Sequence, residues 1–307
     1  MFRNVLVPLD GSRFAEAALP LATRIVRAAG AKLHVVMVHQ PIATLAGMGE
    51  LVLTAPEFES ELQSQERSYL AETAAGLSAA SGSPVEFRHF DGDVAPDVCE
   101  EAGRVAADLV VIATHGRGTL KRLWLGSVAD YVVRHLTVPV LLVHPSRGDD
   151  SETAPPVRRI LVALDLSQEA EAILEPAVAL AQVTGAALTL VHVSELVFEM
   201  ATPAMPSPVQ LDAELLQASR AAAQTRLEAE AARLRRLGVS VDVTVIVGVG
   251  AASGLLDLLE VDQFDVVAMT THGRGGMRRL LLGSVADKVV RGSAKPVLVF
   301  RPHAPVL

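Results

Sequence analysis

The stretch His115-Gly116-Arg117-Gly118-Thr119-Leu120-Lys121-Arg122-Leu123-Trp124-Leu125-Gly126-Ser127 is present in this chain in two related copies. The second reads His272-Gly273-Arg274-Gly275-Gly276-Met277-Arg278-Arg279-Leu280-Leu281-Leu282-Gly283-Ser284. Each copy follows a short apolar run, Leu109-Val110-Val111-Ile112 or Val266-Val267-Ala268-Met269, that reads as a buried strand. Each also opens a helical pattern, Ser127-Val128-Ala129-Asp130 or Ser284-Val285-Ala286-Asp287. A strand, a basic glycine-bearing loop and a helix start make a sensible receptor for phosphate. The glycines let backbone N–H groups approach an anion, and the first helical turn has spare donors at the positive end of the helix dipole.

Outward from these copies the whole chain is a duplication. Asp10 in Val7-Pro8-Leu9-Asp10-Gly11-Ser12 answers to Asp165 in Val162-Ala163-Leu164-Asp165-Leu166-Ser167, and Val38 answers to Val193. Pro139 and Pro296 recur at the same distance after their glycine loops. In the first half the pattern predicts strands over 2–9, 33–38, 85–90, 109–112 and 139–144. It predicts helices over 13–29, 56–80, 94–106 and 127–135. Thr54 and Glu57 have capping-box spacing for the long helix, and Gly30 closes the first one. The second half repeats this from Arg158; its long helix is expected to start at Ser207-Pro208-Val209-Gln210 and end at Gly238. Strands separated by helices of this length imply right-handed crossovers and a parallel sheet. The expectation is therefore two domains, 1–146 and 158–307, joined by a polar, proline-containing linker over 147–157.

Bulk composition narrows the function. The chain has 307 residues, enough for two cores. Half of them are hydrophobic and few are aromatic, which suits strands covered on both faces. The net charge of −8 argues against nucleic acid as a partner. No apolar run reaches membrane-spanning length, and Met1 to Asp10 reads as a first strand rather than a leader. A single cysteine, Cys99, excludes an internal disulfide and fits a reducing cytoplasm; it reads as a buried helix residue.

In a doubly wound sheet, ligands bind beyond the carboxyl ends of the strands, where strand order reverses. Asp10 and Asp165 end the first strand of each half, and the glycine loops follow the fourth. If those strands are neighbours, a carboxylate and a phosphate loop face one crevice. The carboxylate could accept from ribose or adenine, or hold a metal through oxygen. Arg117, Lys121 and Arg122, with Arg274, Arg278 and Arg279, add local positive charge. There is no P-loop, no complete dinucleotide fingerprint and no nucleophile elbow.

At these residues the chain resembles a tandem universal stress protein, over essentially its full length. The family's ATP-binding motif is Gly, two residues, Gly, nine residues, then Gly and Ser or Thr. Its second and third glycines and its serine match Gly116, Gly126 and Ser127, then Gly273, Gly283 and Ser284. The family's aspartate matches Asp10 and Asp165, and its adenine-contacting valine matches Val38 and Val193. The motif's first glycine is replaced by Ala113 and by Thr270; the added methyl threatens the first site little, the branched threonine the second site more. The resemblance implies α/β architecture in two tandem doubly wound, Rossmann-like domains with five-stranded parallel sheets of order 3-2-1-4-5. It implies pseudo-twofold pairing of the halves through their last strands, with a further homodimer left open. It also implies an adenine nucleotide, ATP or else ADP or AMP; Mg2+ would then be bound mainly through the phosphates, an aspartate being a further candidate oxygen ligand, while keeping most of its waters. Turnover would be slow or absent.

The resulting expected contact set joins Pro8, Leu9, Asp10, Val38 and Ala113 to His115, Gly116, Arg117 and Gly118, and to Gly126, Ser127 and Val128. Its counterpart joins Ala163, Leu164, Asp165, Val193 and Thr270 to His272, Gly273, Arg274 and Gly275, and to Gly283, Ser284 and Val285. Each has a plainer alternative. Ser127 and Ser284, with Asp130 and Asp287 three residues on, fit helix caps. The aspartates could cap the first helix. His115 and His272 lack a partner at triad or metal spacing and read as loop packing, and Trp124 as core. His34, His39, His89 and His192 fall on strands without ligand spacing. Three functions compete: a cytoplasmic ATP-binding stress-response module, a slow ATP hydrolase, and a nucleotide-free interaction module with degenerate loops.

Overall fold

Valine- and leucine-rich runs make the strands: β1 (Asn4–Pro8), β2 (Lys32–His39), β3 (Val85–Asp91), β4 (Leu109–Ala113) and β5 (Val140–Val143), then β6 (Arg159–Ala163), β7 (Ala187–Glu195), β8 (Val241–Gly248), β9 (Val266–Thr270) and β10 (Val297–Phe300). The computed structural model describes residues 2–41, 56–114, 125–145, 155–195, 213–261, 263–271 and 282–302. Every residue of β4 and β9 is buried, as expected of parallel strands covered on both faces. The helices between them are α1 (Arg13–Glu16), α2 (Leu19–Ala29), α3 (Pro56–Ser81), α4 (Val94–Arg104) and α5 (Ser127–His135). In the second half they are α6 (Gln168–Glu171), α7 (Leu174–Thr184), α8 (Ala213–Arg235), α9 (Ala251–Val261) and α10 (Ser284–Gly292).

All ten strands join one sheet in the order β3-β2-β1-β4-β5-β10-β9-β6-β7-β8. Each half is parallel within itself and has the expected 3-2-1-4-5 order. β5 and β10 meet antiparallel, with Val140 opposite Val299, Leu141 opposite Leu298 and Leu142 opposite Val297. The pleat sends alternate residues to opposite faces. One face buries Val5, Leu33, Leu70, Ile160, Ile173 and Leu227; the other buries Leu6, Val110, Val132, Leu161, Phe264 and Val289. Both cores run through both halves.

Three helix expectations need correction. The single helix expected over 13–29 is split, with α1 ending at Glu16 and α2 starting at Leu19. Pro20 is the cause, since its ring would clash with the carbonyl four residues back and it offers no N–H. Pro176 breaks the corresponding helix of the second half after Glu171. Helix α4 stops at Arg104, short of Ala106, which takes a left-handed φ of 48°. Gly30 and Gly185 close α2 and α7 at φ 63° and 73°, as helix-terminating glycines do. The long helix of the second half ends at Arg235 rather than Gly238. Thr54, the Ser207–Gln210 cap and most of the linker lie outside the described residues.

Candidate functional site

The crevice begins where β1 and β4 lie side by side, Val5 opposite Leu109 and Leu6 opposite Val110. Strand order reverses there, with β2 on the far side of β1, so Pro8 and Ala113 end neighbouring strands at the switch point. Leu9 N–H donates to the Val36 carbonyl at 2.8 Å, which holds the chain flat against β2 before it turns. Gly11 then adopts φ 76° and the Asp10 carboxylate accepts from Ser12 N–H at 2.9 Å. The second half repeats the turn. Leu164 N–H donates to Val191, and Asp165 accepts from the N–H and hydroxyl of Ser167 at 2.9 and 2.5 Å. Its counterpart of Gly11 is Leu166, at φ 66°, a conformation that costs an L-residue roughly 1–2 kcal/mol. Both aspartates thus brace their own turns, while the caps of α1 and α6 are Ser12 and Ser167, whose hydroxyls accept from Ala15 and Ala170 N–H.

Val38 and Val193 are buried near the ends of β2 and β7, on the faces packed by α4 and α9. Ala113 and Thr270 are buried at the ends of β4 and β9. Beyond them the main chain is held identically in both halves. Thr114 N–H donates to Val143, and Gly126 N–H donates back to the Thr114 carbonyl at 2.7 Å; Thr271 and Gly283 do the same at 3.0 and 2.8 Å. The loops between, with His115, Gly116, Arg117, Gly118, Lys121, Arg122 and Trp124, lie outside the described residues. So do His272, Gly273, Arg274, Gly275, Arg278 and Arg279.

The helix starts overturn the capping alternative. The N-cap residues are Gly126 and Gly283, not the serines, and neither helix has a side-chain cap hydrogen bond. Ser127 and Ser284 are exposed first helical residues, followed by the half-buried Val128 and Val285. Asp130 and Asp287 do not reach back; they pair forward with Arg134 and Arg291 at 2.7 and 2.8 Å. The first-turn N–H groups have no acceptor within the helix.

Sequence reading missed a second constellation, because its members come from three elements. His39 ends β2, His89 lies on β3, and Glu59 and Glu66 lie on α3. Glu66 Oε2 sits 2.8 Å from both His39 Nδ1 and His89 Nε2, and Glu59 Oε1 sits 2.7 Å from His39 Nε2. Burial opposes charge on His39, yet its hydrogen bonds to Glu59 and Glu66 outweigh that and hold its pKa above the usual value. The signal was present as strand alternation and a seven-residue helical spacing, neither visible as a ligand motif. His34 differs: burial outweighs nearby Glu86 and lowers its pKa. His192 Nδ1 donates to the Leu164 carbonyl and so serves the turn before Asp165.

Cys99 is half-buried rather than buried, and desolvation pushes its thiol up to about 11, away from reactive thiolate. Glu101, also on α4, is buried and gripped by Arg104 and Arg88, which hold its carboxyl below the usual range against the cost of burial.

Duplicated topology and twin switch-point crevices define a tandem doubly wound α/β protein. The universal stress protein family matches residues 1–144 and again 156–301, so the chain belongs to that family. A universal stress protein of Mycolicibacterium smegmatis is 27% identical over 302 residues, spanning 98% of this chain and 97% of that one. Universal stress protein Rv2005c of Mycobacterium tuberculosis is 34% identical over 197 residues, 64% of this chain and 62% of its own length. Among solved structures, a universal stress protein from Archaeoglobus fulgidus has a TM-score of 0.71 at 22% identity, covering 98% of both chains. That is a likeness of fold. Among the described residues no helix is long and apolar enough to cross a membrane.

Proposed function

We propose that the chain binds an adenine nucleotide, ATP in the first instance, and acts as a nucleotide-responsive regulatory or interaction module in a cytoplasmic stress response. The carrying observation is the pair of helix starts at Gly126-Ser127 and Gly283-Ser284. α5 and α10 start without a side-chain cap, as α2, α4 and α7 also do; what sets them apart is their place directly after β4 and β9, beside the switch point where a phosphate would sit. Anions favour such termini because unpaired N–H groups and the helix dipole act together.

In this reading Ser127 and Val128, with the Gly116–Gly118 loop, hold the phosphates, Asp10 faces the ribose, and Val38 lines the adenine. Mg2+ is carried mainly by phosphate oxygens. Gly283, Ser284, Val285, Asp165 and Val193 form the counterpart, and the two halves work as a pseudo-twofold pair. Thr270 stands where the first half has Ala113, which favours the first crevice as the tighter one.

The test is thermal unfolding of the full chain with ATP and Mg2+. A ligand at a hundred times its Kd stabilises a fold by about 2.7 kcal/mol. The melting temperature should rise with ATP, and the rise should vanish in the Gly126→Val, Gly283→Val double variant. A wild-type melting temperature unmoved by saturating ATP would sink the reading.

A further inference from the structure

The side-chain group beneath α3 lies apart from the nucleotide crevice and does not depend on the reading above. β2 and β3 run parallel with Met37 opposite His89 and His39 opposite Asp91. His39 and His89 therefore project from the same face, diagonally across neighbouring strands. That face is the one α3 covers; Val38, with the opposite pleat, faces α4 instead. Glu59 and Glu66 are two helical turns apart on α3, which puts both above the histidines. Gln63, between them, donates to Asp91 Oδ1 at 3.1 Å and fixes the helix over the strand ends.

We infer that His39, Glu66 and His89 form a binding site for one divalent transition-metal ion of the Zn2+ type, with Glu59 orienting His39 from behind. Three ligand atoms, two imidazole nitrogens and one carboxylate oxygen, lie within 4.8 Å of one another. Two histidines and one glutamate are a ligand set that suits Zn2+, with a fourth position for water. The contacts of 2.8 Å from Glu66 Oε2 to both nitrogens are hydrogen-bond lengths, so the ion enters by displacing protons and drawing the carboxylate back a little. His39 is 4% exposed, and the side chain of His89 only 2%, so neither ring is free to turn away to solvent.

The surrounding groups fit the assignment. A metal-bound imidazole needs its other N–H satisfied, and a carboxylate there fixes the tautomer and raises ligand basicity. Glu59 Oε1, 2.7 Å from His39 Nε2, is placed to accept that hydrogen and leave the Nδ1 lone pair facing Glu66 and His89. Arg67 donates Nε–H to His89 Nδ1 at 3.3 Å. With Nε2 ligating, Nδ1 carries the hydrogen, so Arg67, an exposed side chain, moves off. Among the described residues the second half has no counterpart. The position of His39 is Ser194 and that of His89 is Val245, read from the Val38–Val193 correspondence and the matching strand registers. The group accounts for one ion.

The experiment is Zn2+ titration of the chelator-stripped full chain against a chromophoric chelator, with metal counted by mass spectrometry. Wild type should take one high-affinity Zn2+, and Co2+ in its place should show the visible absorption of a low-coordinate site. Glu66→Gln and His89→Gln should each weaken Zn2+ binding by about a hundredfold, and Glu59→Gln by roughly 10–100-fold, the usual loss on removing an outer-sphere partner. Ser194→Ala should bind as wild type. On the unmodified protein, stoichiometric Zn2+ should also shift the imidazole NMR resonances of His39 and His89, which keeps the inference testable if a variant fails to fold. No tight Zn2+ on wild type, wild-type affinity in Glu66→Gln and His89→Gln, or His39 and His89 resonances unmoved by Zn2+ would overturn it.

Discussion

Proline at position 127 tests whether the main chain, rather than a side chain, receives the nucleotide. Ser127 is the first residue of α5, where proline is favoured because its missing N–H has no helical acceptor anyway. Gly126 already has φ −58° and ψ 149°, the extended geometry that a residue preceding proline requires. Ser127 is exposed, so the ring has room. Ser127→Pro should therefore leave unfolding stability within about 0.5 kcal/mol, the usual range for a compatible surface change. It removes one N–H from the proposed phosphate receptor. A hydrogen bond to a charged group is worth about 1.5–3 kcal/mol, so Kd for ATP should rise roughly 10- to 150-fold at that crevice. Ser127→Ala keeps the N–H and separates the amide from the hydroxyl. Calorimetric titration of ATP with Mg2+ reads both. The equivalent change, Ser284→Pro, is prepared by Gly283 at φ −59° and ψ 151°. A Ser127→Pro, Ser284→Pro double variant that binds ATP with wild-type affinity and stoichiometry would refute main-chain recognition at the helix starts.

Two further predictions concern stability. Glu101→Gln should cost about 1–3 kcal/mol at neutral pH, toward the low end because both arginines are half-exposed and can rehydrate. The Glu101 carboxyl is held low in the folded chain, so its contribution is present above the unfolded value of about 4.3 and is lost as pH falls through the folded one; the gap between wild type and variant in urea unfolding should close in acid. Gly30→Ala meets no atom within 4 Å but must hold φ +63°, so it should lower stability by about 1 kcal/mol in thermal unfolding, wholly through backbone strain.

The duplication and the strand runs made the fold legible. Val5-Leu6-Val7 and Leu109 to Ile112 are too apolar and too short for anything but covered parallel strands, and the resemblance supplied their order. The break at Pro20 was legible too, for a proline inside a helical pattern marks a boundary at the carbonyl four residues back; amphipathic spacing from Arg13 to Ala29 masked it. Capping was harder. Ser127-Val128-Ala129-Asp130 has the letters of a capped start, but Gly126 takes the cap position because its N–H is tied to Thr114 and its carbonyl accepts from Asp130. The His39, Glu66 and His89 group has strand alternation and helical spacing behind it but no local ligand motif. Its members converge only after β2 and β3 adopt their register and α3 crosses them, which is tertiary information.

The antiparallel meeting of β5 with β10 has a spatial consequence. Ligand crevices in such sheets open at the carboxyl ends of parallel strands, and turning one half over reverses that direction. The two mouths therefore point to opposite rims of the molecule. A nucleotide in one cannot touch or screen a nucleotide in the other, and a partner docking at one rim leaves the other open. Among the described residues the links between the two rims include the three residue pairs of the central seam, the cores on either side of it and the Arg301 guanidinium, which donates to the Arg134 carbonyl.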